Sequence, residues 1–335
     1  MKRSIKKLIR PKDAAMWLYK AQSGKEVTEA LMLLYDMSNN APKYYQKKEI
    51  PKKQGGKRVL SVPVTELKRV LCCIKAEILD YIPVSDYARA YKKGGGIAHA
   101  AKEHVGHETL LRLDIEGFFD HITYKEVYKH VFGRYYPRKV AGLLTALCCY
   151  EKHLPQGAPT SPAISNIVMK GFDDEVAVFC KMNNIHYTRY CDDCIFSGKF
   201  DVGAVIKKVK SELLKMGLRL NDEKTKVISQ GQRQIVLGVC VNEKMQAPAA
   251  YRNRIRQEIY YCKKYGVKNH LLRLNDERFV KKTPGGVFVD AVGYLMQLKG
   301  KISFVLSINP DDKEMREYFN LLSVSKKSTR AKKSC

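Results

Sequence analysis

The sequence predicts a mixed α/β protein whose C-terminal part is helical. Short apolar runs typical of buried strands, such as Leu110–Ile115 and Ile185–Tyr190, alternate with segments of helical periodicity. Beyond Pro248 the pattern changes to basic helices, which predicts a domain boundary near residue 246. The expected organisation is an α/β region at 1–245 that opens with a basic segment at 1–24, a helical domain at 246–325, and a flexible basic tail at 326–335.

The composition points to a polyanionic partner. The chain has 335 residues, of which 45% are hydrophobic, enough to bury a substantial core. Its 61 Lys and Arg against 34 Asp and Glu give a formal net charge of +27, which favours nucleic acid as the partner. No apolar run approaches the 18 residues of a spanning helix, so a membrane protein is excluded. The basic N-terminus lacks the apolar stretch of a secretory signal, and the mature chain is expected to begin at Met1.

The ten cysteines indicate a reducing compartment. Two adjacent pairs, Cys72-Cys73 and Cys148-Cys149, stand in apolar, helix-like surroundings where cysteine behaves as a small hydrophobe. Cys191 and Cys194 have the C-x-x-C spacing, but no second Cys or His pair stands at zinc-site spacing. A cytoplasmic location is therefore expected.

Individual elements follow from local periodicity and turn residues. The pattern predicts, in chain order, helices at 25–37 and 66–81 with a loop or hairpin at 47–58 between them, a strand at 110–115, a helix at 124–131, a turn-rich loop at 156–162, a helix at 163–182, a hairpin at 185–197, a helix at 202–216, a strand at 235–241, and an apolar packing segment at 302–309.

Three acids stand where this pattern can bring them together. Asp114 ends a predicted strand, and Asp192 and Asp193 form the tip of the predicted hairpin. An Asp-Asp pair alone is usually solvated turn chemistry. Three clustered carboxylates repel one another unless cations compensate, and Mg²⁺ prefers such oxygen ligands. Two such ions can serve phosphoryl transfer, so an acidic cluster in a basic protein predicts phosphodiester chemistry on nucleic acid.

Six blocks occur in the order found in reverse transcriptases, and together they resemble that family over roughly two-thirds of the chain. The blocks are Arg58-x-Leu60-x-x-Pro63, Asp114-Ile115-Glu116-Gly117-Phe118-Phe119, Leu154-Pro155-Gln156-Gly157 with Ser161-Pro162, Tyr190-Cys191-Asp192-Asp193, Gly217–Thr225, and Leu237-Gly238.

Within that family the sequence is most similar to bacterial retron reverse transcriptases. Ala100-Ala101-Lys102-Glu103-His104 resembles the retron N-A-x-x-H element, with Ala100 in place of Asn. Val236-Leu237-Gly238 stands where retron proteins carry V-T-G. These two departures leave open another retron-like lineage, such as a stand-alone reverse transcriptase of a defence system.

The resemblance implies a right-hand polymerase with mixed fingers, an α/β palm built on a mainly antiparallel sheet, and a helical thumb. It implies catalysis by Asp114, Asp192 and Asp193, which would hold two Mg²⁺ ions, or Mn²⁺ as a substitute, together with the backbone carbonyl of Ile115. Asp173 and Asp174 are expected outside the site, as packing or surface acids. The residues expected around the incoming deoxynucleotide are Lys57, Arg58, Phe118, Phe119, Gln156 and Lys224, with the Phe119 ring excluding a ribose 2′-OH.

The same resemblance implies the partners. They are a structured non-coding RNA, the RNA–DNA hybrid made from it, dNTPs, and an effector protein of an anti-phage defence system in the bacterial cytoplasm. The residues expected to contact RNA or template-primer are His104, Arg252, Arg254, Arg256, Lys263 and Lys264. A lone histidine and a solvated basic helix are the structural alternatives. Two other functions stay open, a non-templated or protein-primed polymerase and a catalytically silent RNA-binding protein.

Overall fold

A computed structural model describes residues 6–51, 55–284 and 286–331. The helices are α1 Pro11–Tyr19, α2 Gly24–Asn39, α3 Thr65–Glu77, α4 Ile97–Lys102, α5 Phe118–His121, α6 Tyr124–His130, α7 Arg138–Cys148, α8 Ser161–Val168, α9 Lys170–Met182, α10 Val202–Leu214, α11 Ala249–Tyr265, α12 Val267–Leu274, α13 Ala291–Ile308 and α14 Lys313–Ala331. The strands are β1 Tyr45–Pro51, β2 Lys57–Pro63, β3 Thr109–Asp114, β4 His186–Tyr190, β5 Asp193–Gly198, β6 Lys226–Ser229, β7 Ile235–Val236, β8 Val239–Cys240, β9 Val280–Thr283 and β10 Gly286–Val289.

The chain forms two compact units. The first comprises the residues up to Gly96 together with Glu108–Ile228, and the second comprises Ile97–His107 together with the residues from Ser229 onward. Part of the chain before residue 246 thus packs with the C-terminal helices. No helix among the described residues is long and apolar enough to span a bilayer.

The first unit is built around a four-stranded sheet in the order β4-β5-β3-β6. β5 pairs antiparallel with both β3 and β4. Leu111 and Leu113 of β3 and Phe196 of β5 are fully buried in one hydrophobic core with residues of the surrounding helices. The mixed α/β fold with antiparallel strands is confirmed.

Local sequence explains where several helices begin. Ser23 accepts a hydrogen bond from the backbone N–H of Glu26, and the Glu26 carboxylate accepts one from the Ser23 N–H, which is a capping box at the start of α2. Asp201 caps α10 by accepting from the backbone of Gly203 at 2.8 Å. Gly217 follows α10 with φ of 72°, a conformation that disfavours side chains with a Cβ.

The second unit is helical with one β-hairpin. Leu298, Ile302 and Val305 of α13 recur at helical spacing and are fully buried, so the segment predicted at 302–309 belongs to this longer helix. The antiparallel hairpin β9–β10 has no counterpart in the sequence prediction. α14 extends to Ala331, into the segment predicted as a tail, and 332–335 lie outside the described residues.

Two further element predictions are wrong in detail. The helix predicted at 163–182 is two helices that meet at Met169, whose ψ of −3° interrupts the helical path. The strand predicted at 235–241 is the tight hairpin β7–β8, because Leu237 and Gly238 both have positive φ. The predicted loop or hairpin at 47–58 is the hairpin β1–β2, although residues 52–54 lie outside the described part.

Candidate active site

The pairing of β3 with β5 brings distant acids side by side. Asp114 lies directly opposite Asp193 in the antiparallel register, so the two side chains share one face of the sheet. The Ile115 backbone N–H donates to the Asp192 carbonyl at 3.0 Å, which extends the pairing into the turn between β4 and β5. Acids from distant positions of the sequence therefore meet at one end of the two central strands of the sheet.

The charges around these acids influence one another. Burial raises the pKa of Asp193, and the charges of Asp192 and Asp114 raise it further, while Arg112 opposes the shift from 3.3 Å. The Lys224 ammonium lies 2.8 Å from Asp114 Oδ1, and this hydrogen bond raises the lysine pKa, helped by the charges of Asp192 and Asp193. The three carboxylates thus create a single region where a cation is favoured.

The donor chemistry here fits a hard divalent cation, since carboxylate and carbonyl oxygens are the ligands that such ions prefer. The Ile115 carbonyl stands next to Asp114 in the chain and could supply a further oxygen. Across the described residues no group of three or more acidic, histidine or cysteine side chains is already arranged to hold a metal ion. Lys224 and Arg112 instead contact two of the three carboxylates.

Two adjacent phenylalanines follow the first acid on α5. Phe118 is buried in the core, whereas Phe119 is only half-buried against it. Their rings meet edge to face, with centroids 5.3 Å apart. Phe119 therefore presents part of its ring beyond the core while Phe118 anchors the helix.

The loop before α8 is tied to two neighbouring elements. The Gln156 carbonyl accepts from the Ser61 backbone N–H of β2 at 2.8 Å, and its side-chain Nε2 donates to Asp120 Oδ2 at 3.2 Å. Gly157 has φ of 127°, and a Cβ there would lie 2.8 Å from the Ser61 carbonyl oxygen, so only glycine allows this close approach. The predicted Gln156 is thus held near α5, on which Phe119 lies.

The two predicted basic residues at the start of β2 are exposed. Arg58 lies on β2 opposite Ile50, and Lys57 pairs with Glu49 at 2.6 Å. Their expected contact with a nucleotide stays a prediction.

His104 lies in the second unit, whereas the three acids lie in the first. Its side chain is fully buried beside α4. The Gly106 N–H donates to the Val241 carbonyl at 2.9 Å, so the 100–104 element and the 236–238 turn, the two places that depart from the retron pattern, belong to the same unit.

The predicted basic residues of α11 fall into two groups. Arg252 and Arg256 face α14, where they pair with Asp312 at 3.7 Å and Glu314 at 2.6 Å. Arg254, Lys263 and Lys264 are exposed. The first two therefore brace the helices of this unit, and the expected contact of the exposed three with RNA or template-primer stays a prediction.

Sequence reasoning missed a buried charge behind the acidic turn. Arg189 and Asp173 form an ion pair whose side chains are both fully buried. Asp173 is a packing acid and its neighbour Asp174 pairs with Lys170 at the surface of α9, while their expected exclusion from the site stays a prediction. The available sign was an arginine in the middle of a segment predicted to be a strand, directly before the Tyr190-Cys191-Asp192-Asp193 block.

The model of the family described as reverse transcriptase (RNA-dependent DNA polymerase) matches residues 50–247. That range includes all three acids and the loop of Gln156. The chain therefore belongs to the reverse transcriptase family, whose members depend on divalent metal ions.

Curated relatives place it within the retron branch, as predicted. It is 32% identical to the retron Ec83 reverse transcriptase of Escherichia coli over 68% of this chain and 78% of that protein. It is 26% identical to the retron Ec86 enzyme of the same species over 87% of this chain and 83% of that protein. It is also 32% identical to the retron Mx65 reverse transcriptase of Myxococcus xanthus, over 65% of this chain but only 56% of that protein's length. The telomerase of Candida albicans, 11% identical, superposes with a TM-score of 0.43 over 83% of this chain and 62% of that one, which adds nothing to the assignment.

Proposed function

We propose that this protein is an RNA-directed DNA polymerase of the retron type, which copies a structured non-coding RNA into DNA. The observation that carries the proposal is the cross-strand pairing of Asp114 with Asp193, next to Asp192, in a chain of the reverse transcriptase family. A binding protein has no need of three mutually repelling carboxylates at one edge of a sheet.

Asp114, Asp192 and Asp193, with the Ile115 carbonyl, would hold two Mg²⁺ ions, for which Mn²⁺ could substitute. When bound, the ions supply charge neutralisation to the attacking and leaving oxygens of nucleotidyl transfer. Burial raises the pKa of Asp193, and nearby cations oppose the repulsion among the acids: Arg112 lies 3.3 Å from Asp193, and Lys224 lies 2.8 Å from Asp114. Lys224 lies close enough to the acids to act on the triphosphate of a bound nucleotide.

Recognition of the incoming dNTP is assigned to residues around α5. The half-buried ring of Phe119 would exclude a ribose 2′-OH, and the buried Phe118 would keep it in place. The hydrogen bond from Gln156 to Asp120 holds the glutamine amide at α5, from where it would contact the incoming nucleotide. Lys57 and Arg58, both exposed on β2, would reach the phosphates.

Attraction to RNA follows from the net charge of +27, which is not specific to sequence. Arg254, Lys263 and Lys264 are the residues of α11 available for backbone contacts. Specificity would then depend on RNA shape and 2′-OH groups. We further propose a role in bacterial anti-phage defence with an effector protein, which rests on the sequence resemblance to retron enzymes alone.

Two measurements test this function. The purified protein should copy an added RNA template, and its product sequence should follow that template; a product unrelated to the template would indicate a non-templated polymerase. The nucleic acid that co-purifies should contain one structured RNA joined to DNA through an internal ribose 2′-OH. Absence of such a branch would contradict the retron setting and leave the polymerase activity intact.

The contribution of His104 can be tested separately. If it serves the retron RNA, His104→Ala should weaken use of that RNA more than extension of an annealed DNA primer. His99→Ala, at an exposed position of the same α4, is the matched control. Equal loss on both substrates, with a lower melting temperature, would show that the buried His104 is structural.

A further inference from the structure

The turn between β4 and β5, formed by Cys191 and Asp192, accepts a hydrogen bond from an arginine whose side chain is fully buried. Arg189, in β4, donates from Nε to Asp173 Oδ1 and from NH2 to Asp173 Oδ2, both at 2.7 Å. This is a two-pronged guanidinium–carboxylate contact, the most directional ion pair that proteins form. Both side chains have no exposed surface.

The remaining Arg189 nitrogen reaches the turn itself. NH1 donates to the Cys191 carbonyl at 2.8 Å. Cys191 has φ of 60°, a left-handed backbone conformation that is unfavourable in free energy for any residue that has a Cβ atom. The next carbonyl, that of Asp192, accepts from the Ile115 N–H. Both carbonyls of the turn are thus fixed, one by a side chain and one by β3.

Other buried groups fix the arginine in turn. Tyr187 donates its hydroxyl to Asp173 Oδ1 at 2.8 Å, and Asn166 of α8 accepts from Arg189 NH2 at 3.3 Å. The Asn166 amide donates to the Ala90 carbonyl at 2.8 Å. The guanidinium therefore has a single position, set by two helices and the strand that carries it.

Stability alone is a poor explanation of this arrangement. Desolvating two charges offsets most of the attraction between them, and a buried pair is often no more stabilising than apolar side chains of similar size. What apolar side chains could not provide is the hydrogen bond to the Cys191 carbonyl. What the Arg189–Asp173 pair provides beyond stability is therefore the contact with the turn at Cys191.

Resting on the polymerase function proposed above, we infer that Arg189 is a positioning residue. Clamped by Asp173, it holds the left-handed Cys191 turn so that the Asp192 and Asp193 carboxylates are placed for the divalent ions. It touches neither substrate nor metal and acts through the Cys191 carbonyl.

Arg189→Lys is the direct test, because lysine keeps the charge beside Asp173 but lacks the planar fork needed to reach the turn as well. Asp174→Asn is the matched control, since it removes a carboxylate one residue away on the same α9, at the surface. Melting temperature, primer-extension kinetics and Mn²⁺ binding by electron paramagnetic resonance are measured for each protein.

For Arg189→Lys the inference predicts a kcat lower by up to about 100-fold, the effect of displacing a reacting group by about 1 Å. The KM for the primer-template should stay unchanged, and the half-saturating Mn²⁺ concentration should rise several-fold. Asp174→Asn should match the wild type in all three. A lower melting temperature with wild-type kcat and Mn²⁺ binding per folded molecule would overturn the inference.

If Arg189→Lys does not fold, the double variant Arg189→Met with Asp173→Leu replaces it, because no unpaired charge then remains buried. The same kinetic and Mn²⁺ changes are expected, and wild-type values would overturn the inference. A wild-type protein that makes no DNA would refute the proposed function. The Mn²⁺ comparison would still decide the role of Arg189.

Discussion

Replacing Phe119 by alanine should admit ribonucleotides at a moderate loss of stability. Most of the residue's surface is buried, so most of the roughly 1.5–3 kcal/mol of a fully buried aromatic is lost. Its edge-to-face contact with Phe118 adds about 0.5–1.5 kcal/mol. The free energy of unfolding should therefore fall by roughly 2–4 kcal/mol, which a domain of ordinary stability survives. A steric misfit of about one small group in a pocket is worth about 10- to 200-fold in kcat/KM, and the preference for dNTP over rNTP should decrease by a factor of this size.

The assay is single-nucleotide extension of an annealed primer, with kcat/KM measured for a dNTP and for the matching rNTP. Leu213→Ala is the control, because it removes a fully buried side chain of the same core on α10 and leaves the proposed barrier in place. It should lower the melting temperature and leave the sugar preference as in the wild type. An unchanged preference in Phe119→Ala, or an equal change in Leu213→Ala, would refute the steric gate.

Two further predictions concern the packing of the first unit. Leu213→Ala should lower the free energy of unfolding by about 2–5 kcal/mol, because this side chain is fully buried. Leu214→Ala on the same α10, where the side chain is 69% exposed, should change it by less than about 0.5 kcal/mol. Equal effects of the two variants in urea denaturation would contradict the packing of α10. Burial, reinforced by the charge of Asp192, raises the pKa of Cys191 to about 12. The reactive thiolate of Cys191 should therefore be scarce at pH 8, and iodoacetamide should modify the exposed Cys72 first. Preferential labelling of Cys191, measured by peptide mass spectrometry, would contradict the burial of this turn.

Most elements of the fold could be predicted from local pattern. The strand at Thr109–Asp114 and the hairpin of β4 and β5 follow from apolar runs bounded by turn residues, and the capping box at Ser23 marks the start of α2. The interruption at Met169 could not be predicted, because apolar spacing continues through it from α8 into α9. The β7–β8 hairpin was missed because its turn places Leu237, which is unusual at positive φ, beside Gly238.

The candidate site could be predicted in its acids but not in their surroundings. Asp114, Asp192 and Asp193 stand in recognisable blocks, so family resemblance was enough to propose them. The partners of those acids depend on tertiary pairing. Lys224 contacts Asp114, which lies 110 residues earlier in the sequence, and no hydrophobic periodicity of the sequence predicts such a contact. The burial of Arg189 likewise depends on Asp173 of a different element.

The central claim is that the three acids catalyse RNA-directed DNA synthesis, and primer extension on an RNA template by Asp192→Asn and Asp193→Asn tests it most directly. Each change removes a proposed metal ligand and one negative charge, so extension should be abolished while RNA affinity stays the same or rises slightly. The wild type should extend the primer with Mg²⁺ and stop when the ion is chelated, and the surface variant Asp174→Asn should behave as the wild type. Wild-type extension by either Asp192→Asn or Asp193→Asn would contradict the account.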